Sequence, residues 1–163
     1  MKTFEELDKE FSLDERLEEE KVAPEVYEYY LKEVNEILEQ DSSNIDALKF
    51  KYFILFCLEK YEESVDVCNQ ILRINSEDIE VLNFKASNLF QLSRYKEVVE
   101  TCQRILEIDP KNQEALEQWK SASLMSDDNS LPKPPQSLIS KIIQILIIAA
   151  VFGTIIFYLS FFM

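Results

Sequence analysis

Residues 45–78, IDALKFKYFILFCLEKYEESVDVCNQILRINSED, and residues 79–112, IEVLNFKASNLFQLSRYKEVVETCQRILEIDPKN, align with each other without a gap. Fourteen of the 34 positions are identical, among them Leu48/Leu82, Leu55/Leu89, Tyr61/Tyr95, Cys68/Cys102 and Ile71/Ile105. The apolar spacing predicts two amphipathic helices per unit. Helix A spans about 45–58 or 79–92, the chain bends at Glu59-Lys60 or Ser93-Arg94, and helix B spans about 61–74 or 95–108. Such a unit cannot bury its apolar face alone and must stack on neighbours.

Leu48 and Leu82 early in helix A, Tyr61 and Tyr95 at the bend, and the endings NQILRINS and QRILEIDP resemble the tetratricopeptide family, whose period is 34 residues. The resemblance implies an all-α helix-turn-helix solenoid of two full repeats. The chain departs from the family pattern where small residues are usual: Tyr52 or Ala86 replaces the helix A glycine, and Ser64 or Val98 the helix B alanine.

Half-repeats flank the pair. PEVYEYYLKEVNEILEQ (24–40) begins with proline at a helix's first position and reads as the B helix of an earlier unit, with Tyr27, Ile37 and Leu38 one repeat before Tyr61, Ile71 and Leu72. Residues 1–23 form an acidic helical arm in which Ser12 and Glu15 are spaced for a capping box. After Pro110, Asn112 opens a capping helix over 112–124, whose Ala115, Leu116 and Trp119 cover the end of the stack. The repeat domain thus runs over 24–124.

Composition removes most catalytic classes. The 163 residues include one glycine (Gly153) and no histidine. Glycine-rich phosphate loops, hairpin-rich folds, Ser-His-Asp systems and histidine-containing zinc sites are excluded. The chain is read as no enzyme, with no cofactor and no metal. A net charge of −14 argues against nucleic acid. The acids concentrate in residues 1–44, with 15 against 5 bases. Cys57, Cys68 and Cys102 lack any C-x-x-C spacing and fit a reducing compartment as buried thiols.

Residues 142–163, IIQILIIAAVFGTIIFYLSFFM, carry no charge. At ~1.5 Å per residue they span roughly 33 Å, enough for a hydrocarbon core of ~30 Å. They predict a single-pass transmembrane tail anchor over 141–163, with the N-terminal part in the cytosol and Lys141 at the membrane edge. By resemblance to known tail anchors, the long apolar span without basic residues beyond it favours the endoplasmic reticulum over the mitochondrial outer membrane. Ala149, Ala150 and Gly153 offer a small-residue face, but dimerisation of the anchor is not favoured. A Ser/Pro-rich linker, 125–140, closes SASLMSDDNSLPKPPQSLIS (121–140) and tethers the domain.

In tetratricopeptide domains the A helices line a concave groove, at positions two, five, six, nine, twelve and thirteen of each repeat. That resemblance implies candidate partner-binding residues Lys49, Phe50, Phe53, Glu80, Asn83, Phe84, Ser87 and Gln91. Phe53 faces Ser87 in the repeat comparison and is the strongest groove candidate. Phe56 and Phe90 read as core, and Phe50 and Phe84 divide between core and groove. The carboxylate clamp for chaperone C-termini is poorly matched, because Lys49 is followed by Phe53, Glu80 and Phe84 where the clamp places Asn, Lys and Asn or Arg. Phe4, Leu7 and Phe11 share one face of the arm and are spaced to fill the groove from within the chain.

These residues point to a membrane-anchored, cytosol-facing adaptor that binds a protein partner, a peptide or amphipathic helix, and recruits it to an organelle membrane. The alternatives are a structural subunit assembled through the transmembrane helix, or a receptor resembling the tail-anchored mitochondrial fission adaptors. Membrane-anchored immunophilins share the repeat-plus-anchor layout, but too little chain precedes the repeats for an isomerase domain.

Overall fold

The computed structural model describes residues 2–18 and 22–126, and all regular structure there is helical. The helices are α1 (Phe4–Ser12), α2 (Pro24–Gln40), α3 (Ile45–Cys57), α4 (Tyr61–Ile74), α5 (Ile79–Gln91), α6 (Tyr95–Ile108) and α7 (Gln113–Met125), with a 3-10 turn at Glu15–Glu18. Each of α2–α6 packs on the helix before and after it, and α7 packs on α6 and reaches α5. The two repeats are the pairs α3–α4 and α5–α6, within a residue of the bounds expected from the pattern.

The start of each A helix carries the same device. Asn44, Asp78 and Asn112, spaced 34 apart, accept from the backbone N–H of Ala47, Val81 and Ala115 at 2.9, 3.1 and 2.9 Å. A cap of this kind stabilises a helix by about 1 kcal/mol. The arm is capped elsewhere than expected: the capping box is Thr3 with Glu6. Ser12 instead ends α1 and donates its hydroxyl to the Lys9 carbonyl, so the Ser12–Glu15 pairing is corrected. At the other end α7 continues to Met125, one residue past the expected end of the capping helix and into the expected start of the linker. Residues 127–163, with the rest of the linker and the anchor, lie outside the described residues. Among the described residues no helix is long and apolar enough to cross a membrane.

The bends take up positive φ without glycine. Glu59 and Ser93 both sit at φ 57°. Around them the N–H of Lys60 donates to Leu55 O at 2.9 Å and that of Glu59 to Phe56 O at 3.0 Å. Arg94 to Leu89 and Ser93 to Phe90 repeat both bonds. This is the Schellman closure of a helix end, which ordinarily takes glycine at the left-handed position. Helix B then starts without a side-chain cap at Lys60 or Arg94.

Two apolar clusters meet at α3. One joins Leu7, Val26, Tyr30, Val34, Ile37, Ala47, Phe50 and Ile54, and the other runs from Leu48 through α4–α6 to Ala115 and Ala122. At the positions where the family has small residues, bulk is exchanged between the repeats. Tyr52 is buried beside Ser64, whose hydroxyl donates to the Tyr52 carbonyl at 3.0 Å. In the second repeat Ala86 is the small member and Val98 the large one, both fully buried. Trp119 of α7 packs half-buried on the end of the stack, its indole Nε1 buried without a hydrogen-bond partner.

Glu59→Gly and Ser93→Gly should each stabilise the protein. A left-handed non-glycine residue costs about 1–2 kcal/mol, and the added freedom of glycine in the unfolded chain returns part of that. A net gain of about 0.5–1 kcal/mol per site is expected, read as a higher midpoint in thermal melts of the full chain.

Candidate partner-binding groove

The A helices α3, α5 and α7 share one face, and their side chains are cross-linked by a polar ladder. Lys49 Nζ meets Glu80 Oε2, with Asp78 Oδ2 at 3.3 Å. Asn83 Nδ2 donates to Glu114 Oε2 at 2.9 Å. Gln118 Nε2 donates to Ser87 Oγ at 3.1 Å. Each rung joins residues 31 apart, because helical side chains three or four positions apart share a face. Burial acts to lower the Lys49 pKa, and the Glu80 and Asp78 carboxylates outweigh it and hold it above the ordinary lysine value. Lys49 and Glu80 are therefore partners of each other.

The arm lies over the first part of this face. The Phe4 ring is 5.9 Å from that of Phe50, and Phe11 is 4.9 Å from both Phe50 and Tyr30 and 6.2 Å from Phe53. Leu7 is fully buried between them. Phe50 becomes core beneath the arm, whereas Phe53 stays 41% exposed at its edge. Polar contacts hold the arm down. Lys2 pairs with Glu10 at 2.7 Å and Glu33 at 2.8 Å, and the Tyr29 hydroxyl donates to Glu10 at 2.9 Å. The Tyr30 hydroxyl donates to Asp14 at 2.7 Å. Arg16, and after it Tyr30, holds the Asp14 carboxyl well below the usual carboxylate range.

The far part of the face is open. Phe84 is taken up in the seam between repeats, its ring 4.2 Å from Tyr52 and 5.3 Å from Phe56. Phe56 and Phe90 lean on Tyr61 and Tyr95 across their own bends. Beyond Phe84 a cavity of about 320 Å³ opens between α5 and α7, lined by Ser87, Phe90, Gln91, Glu117, Gln118 and Ser121. Ser87 and Gln91 were expected there. Glu117, Gln118 and Ser121 were missed because 112–124 was read only as a cap. Counting the 34-residue frame once more puts them at positions five, six and nine of a third A helix, and Glu114 at position two.

No protein-family model matches the sequence, and no curated protein matches it as a relative. Among solved structures, the first TPR domain of human RPAP3 superposes with a TM-score of 0.58 at 19% identity, over 74% of this chain and 87% of that one. The fold is that of a tetratricopeptide domain. The first TPR of Spaghetti (RPAP3), bound to the HSP90 peptide SRMEEVD, gives 0.59 at 19% over 74% and 86% of the two chains. The second TPR domain of human RPAP3, in complex with the HSP70 peptide SGPTIEEVD, gives 0.54 at 16% over 60% and 81%. At these identities the likeness speaks for the fold alone.

Phe11→Ala should loosen the arm by about 1–2 kcal/mol. Hydrogen exchange at the α1 amides should accelerate while α4–α6 stay protected. The same experiment has a pH signature. The Glu10 and Asp14 carboxyls both lie below their ordinary range when the arm is docked, through Lys2 with Tyr29 and through Arg16 with Tyr30. The stabilisation they add is complete above about pH 5 and declines as pH falls below about 4.

Proposed function

We propose that the chain is a protein-binding adaptor, held at an organelle membrane through residues 142–163, that captures a partner segment on the α5–α7 part of its A-helix face. The observation that carries this reading is the half-filled groove. The arm covers Phe50 and abuts Phe53, and the cavity over Ser87, Phe90 and Gln91 is left for another chain. Protein binding is also what the RPAP3 domains of like fold do with chaperone peptides. Membrane attachment rests on the 22 uncharged residues. The repeats then face the cytosol, and the endoplasmic reticulum is the favoured membrane over the mitochondrial outer membrane. Recruitment is the mechanism: attachment confines the partner to a shell set by the linker and raises its effective concentration without chemistry.

The test is photocrosslinking in cells with a reactive residue at Gln91, at Phe53, or at Gln70 on α4. Gln91 should capture a partner, and Phe53 should do so chiefly after deletion of residues 2–22. Equal capture at Gln70, or none at Gln91, would sink the groove reading. Capture of membrane proteins only, lost when the chain is cut after Gln136, would make it a subunit of a membrane complex instead.

A further inference from the structure

The polar ladder on the A-helix face repeats its geometry and changes its charge. In the first rung Lys49 neutralises Glu80. One repeat later Asn83 stands in the place of Lys49 and Glu114 in the place of Glu80. The contact is kept, from Asn83 Nδ2 to Glu114 Oε2 at 2.9 Å, but the amide brings no positive charge. Gln118 Nε2 lies 3.4 Å from Glu114 Oε1 and is neutral as well. Glu114 is thus oriented by two amides, and among the described residues neither it nor Glu117 is in an ion pair with a lysine or arginine.

Apolar surface lies beside these carboxylates. Phe90 lines the cavity that Glu117 and Gln118 share. Leu124, one 34-residue step beyond Phe90, is 87% exposed. Along the groove-lining positions of α3, α5 and α7, Asp46, Glu80, Glu114 and Glu117 face a single lysine, and that lysine is engaged.

We infer that the α5–α7 half of the groove receives a cationic segment of the partner: an aliphatic side chain seats on Phe90 and Leu124, and an adjacent lysine or arginine meets Glu114 and Glu117. This rests on the adaptor reading and specifies its ligand. The sign is opposite to that of the EEVD-ending peptides seen with the RPAP3 domains. A carboxylate already held by amide donors needs little reordering to accept a cation, so charge complementarity here sets both specificity and encounter rate. An acidic peptide meets like charge and is rejected.

The test uses the full chain in neutral detergent micelles and a bead library of degenerate heptapeptides. Lysine or arginine next to an aliphatic residue should be enriched. Affinity of a selected peptide, read by fluorescence anisotropy, should fall roughly three- to tenfold in Glu114→Gln and in Glu117→Gln. It should fall again between low and high salt. Circular dichroism checks that both variants keep their helicity. Enrichment of acidic or uncharged peptides that compete at the groove would overturn the cationic ligand and leave the adaptor standing. Unchanged affinity in both variants would also overturn it. No enrichment at all, together with no crosslink at Gln91, would remove the groove as a binding site altogether.

Discussion

After each A helix the chain must reverse within three residues, and the stack depends on that reversal. Two backbone hydrogen bonds close each bend, and they form only with Glu59 or Ser93 in the left-handed region. A helix pair opened by even a modest angle would separate Tyr52 from Ser64 and pull Phe56 and Phe90 off Tyr61 and Tyr95. The strain at two side chains is small beside the apolar area that the resulting antiparallel pairs enclose, at about 25 cal/mol per Å². Glycine would relieve it, yet both closures form with Glu59 and Ser93, one bond of each ending on the carbonyl of the fully buried Leu55 or Leu89.

The ends of the stack are treated differently. At one end α7 continues the repeat frame and lends Glu114, Glu117, Gln118 and Ser121 to the groove, so its closing helix is also part of the candidate site. At the other end α1 is out of frame. One more A helix would occupy 11–23 by the 34-residue shift, but the arm is helical over Phe4–Ser12 and reaches α3 through aromatic edges. The same residues that finish the core therefore narrow the groove.

Most of the fold was legible in the sequence because the repeat is a measurement made twice. Where Ile45–Asp78 and Ile79–Asn112 agree, they locate helix bounds to within a residue. Where the repeat stops, legibility stops. Thr3 and Ser12 are both good capping residues, and nothing local favours the first; what decides is that α1 must present Phe4, Leu7 and Phe11 to Phe50 and Tyr30. The groove was legible as a set of positions but not as a set of free groups. Lys49 with Glu80 and Asn83 with Glu114 join only once neighbouring A helices are placed side by side, a relation that no spacing within one helix reveals. Phe53 was separable from Phe50 by the repeat comparison, since Ser87 replaces Phe53 one repeat later whereas Phe84 repeats Phe50.

The placement of Trp119 makes it an optical label for one end of the repeat stack. It is the chain's only tryptophan, and it lies in α7 against the last repeat. Indole emission therefore watches the closing helix, whereas far-UV ellipticity averages over every helix. In an array coupled only through nearest neighbours, ends loosen before the middle. The gap between the two signals along one denaturant titration would gauge how tightly the repeats are coupled, with no dye and no substitution.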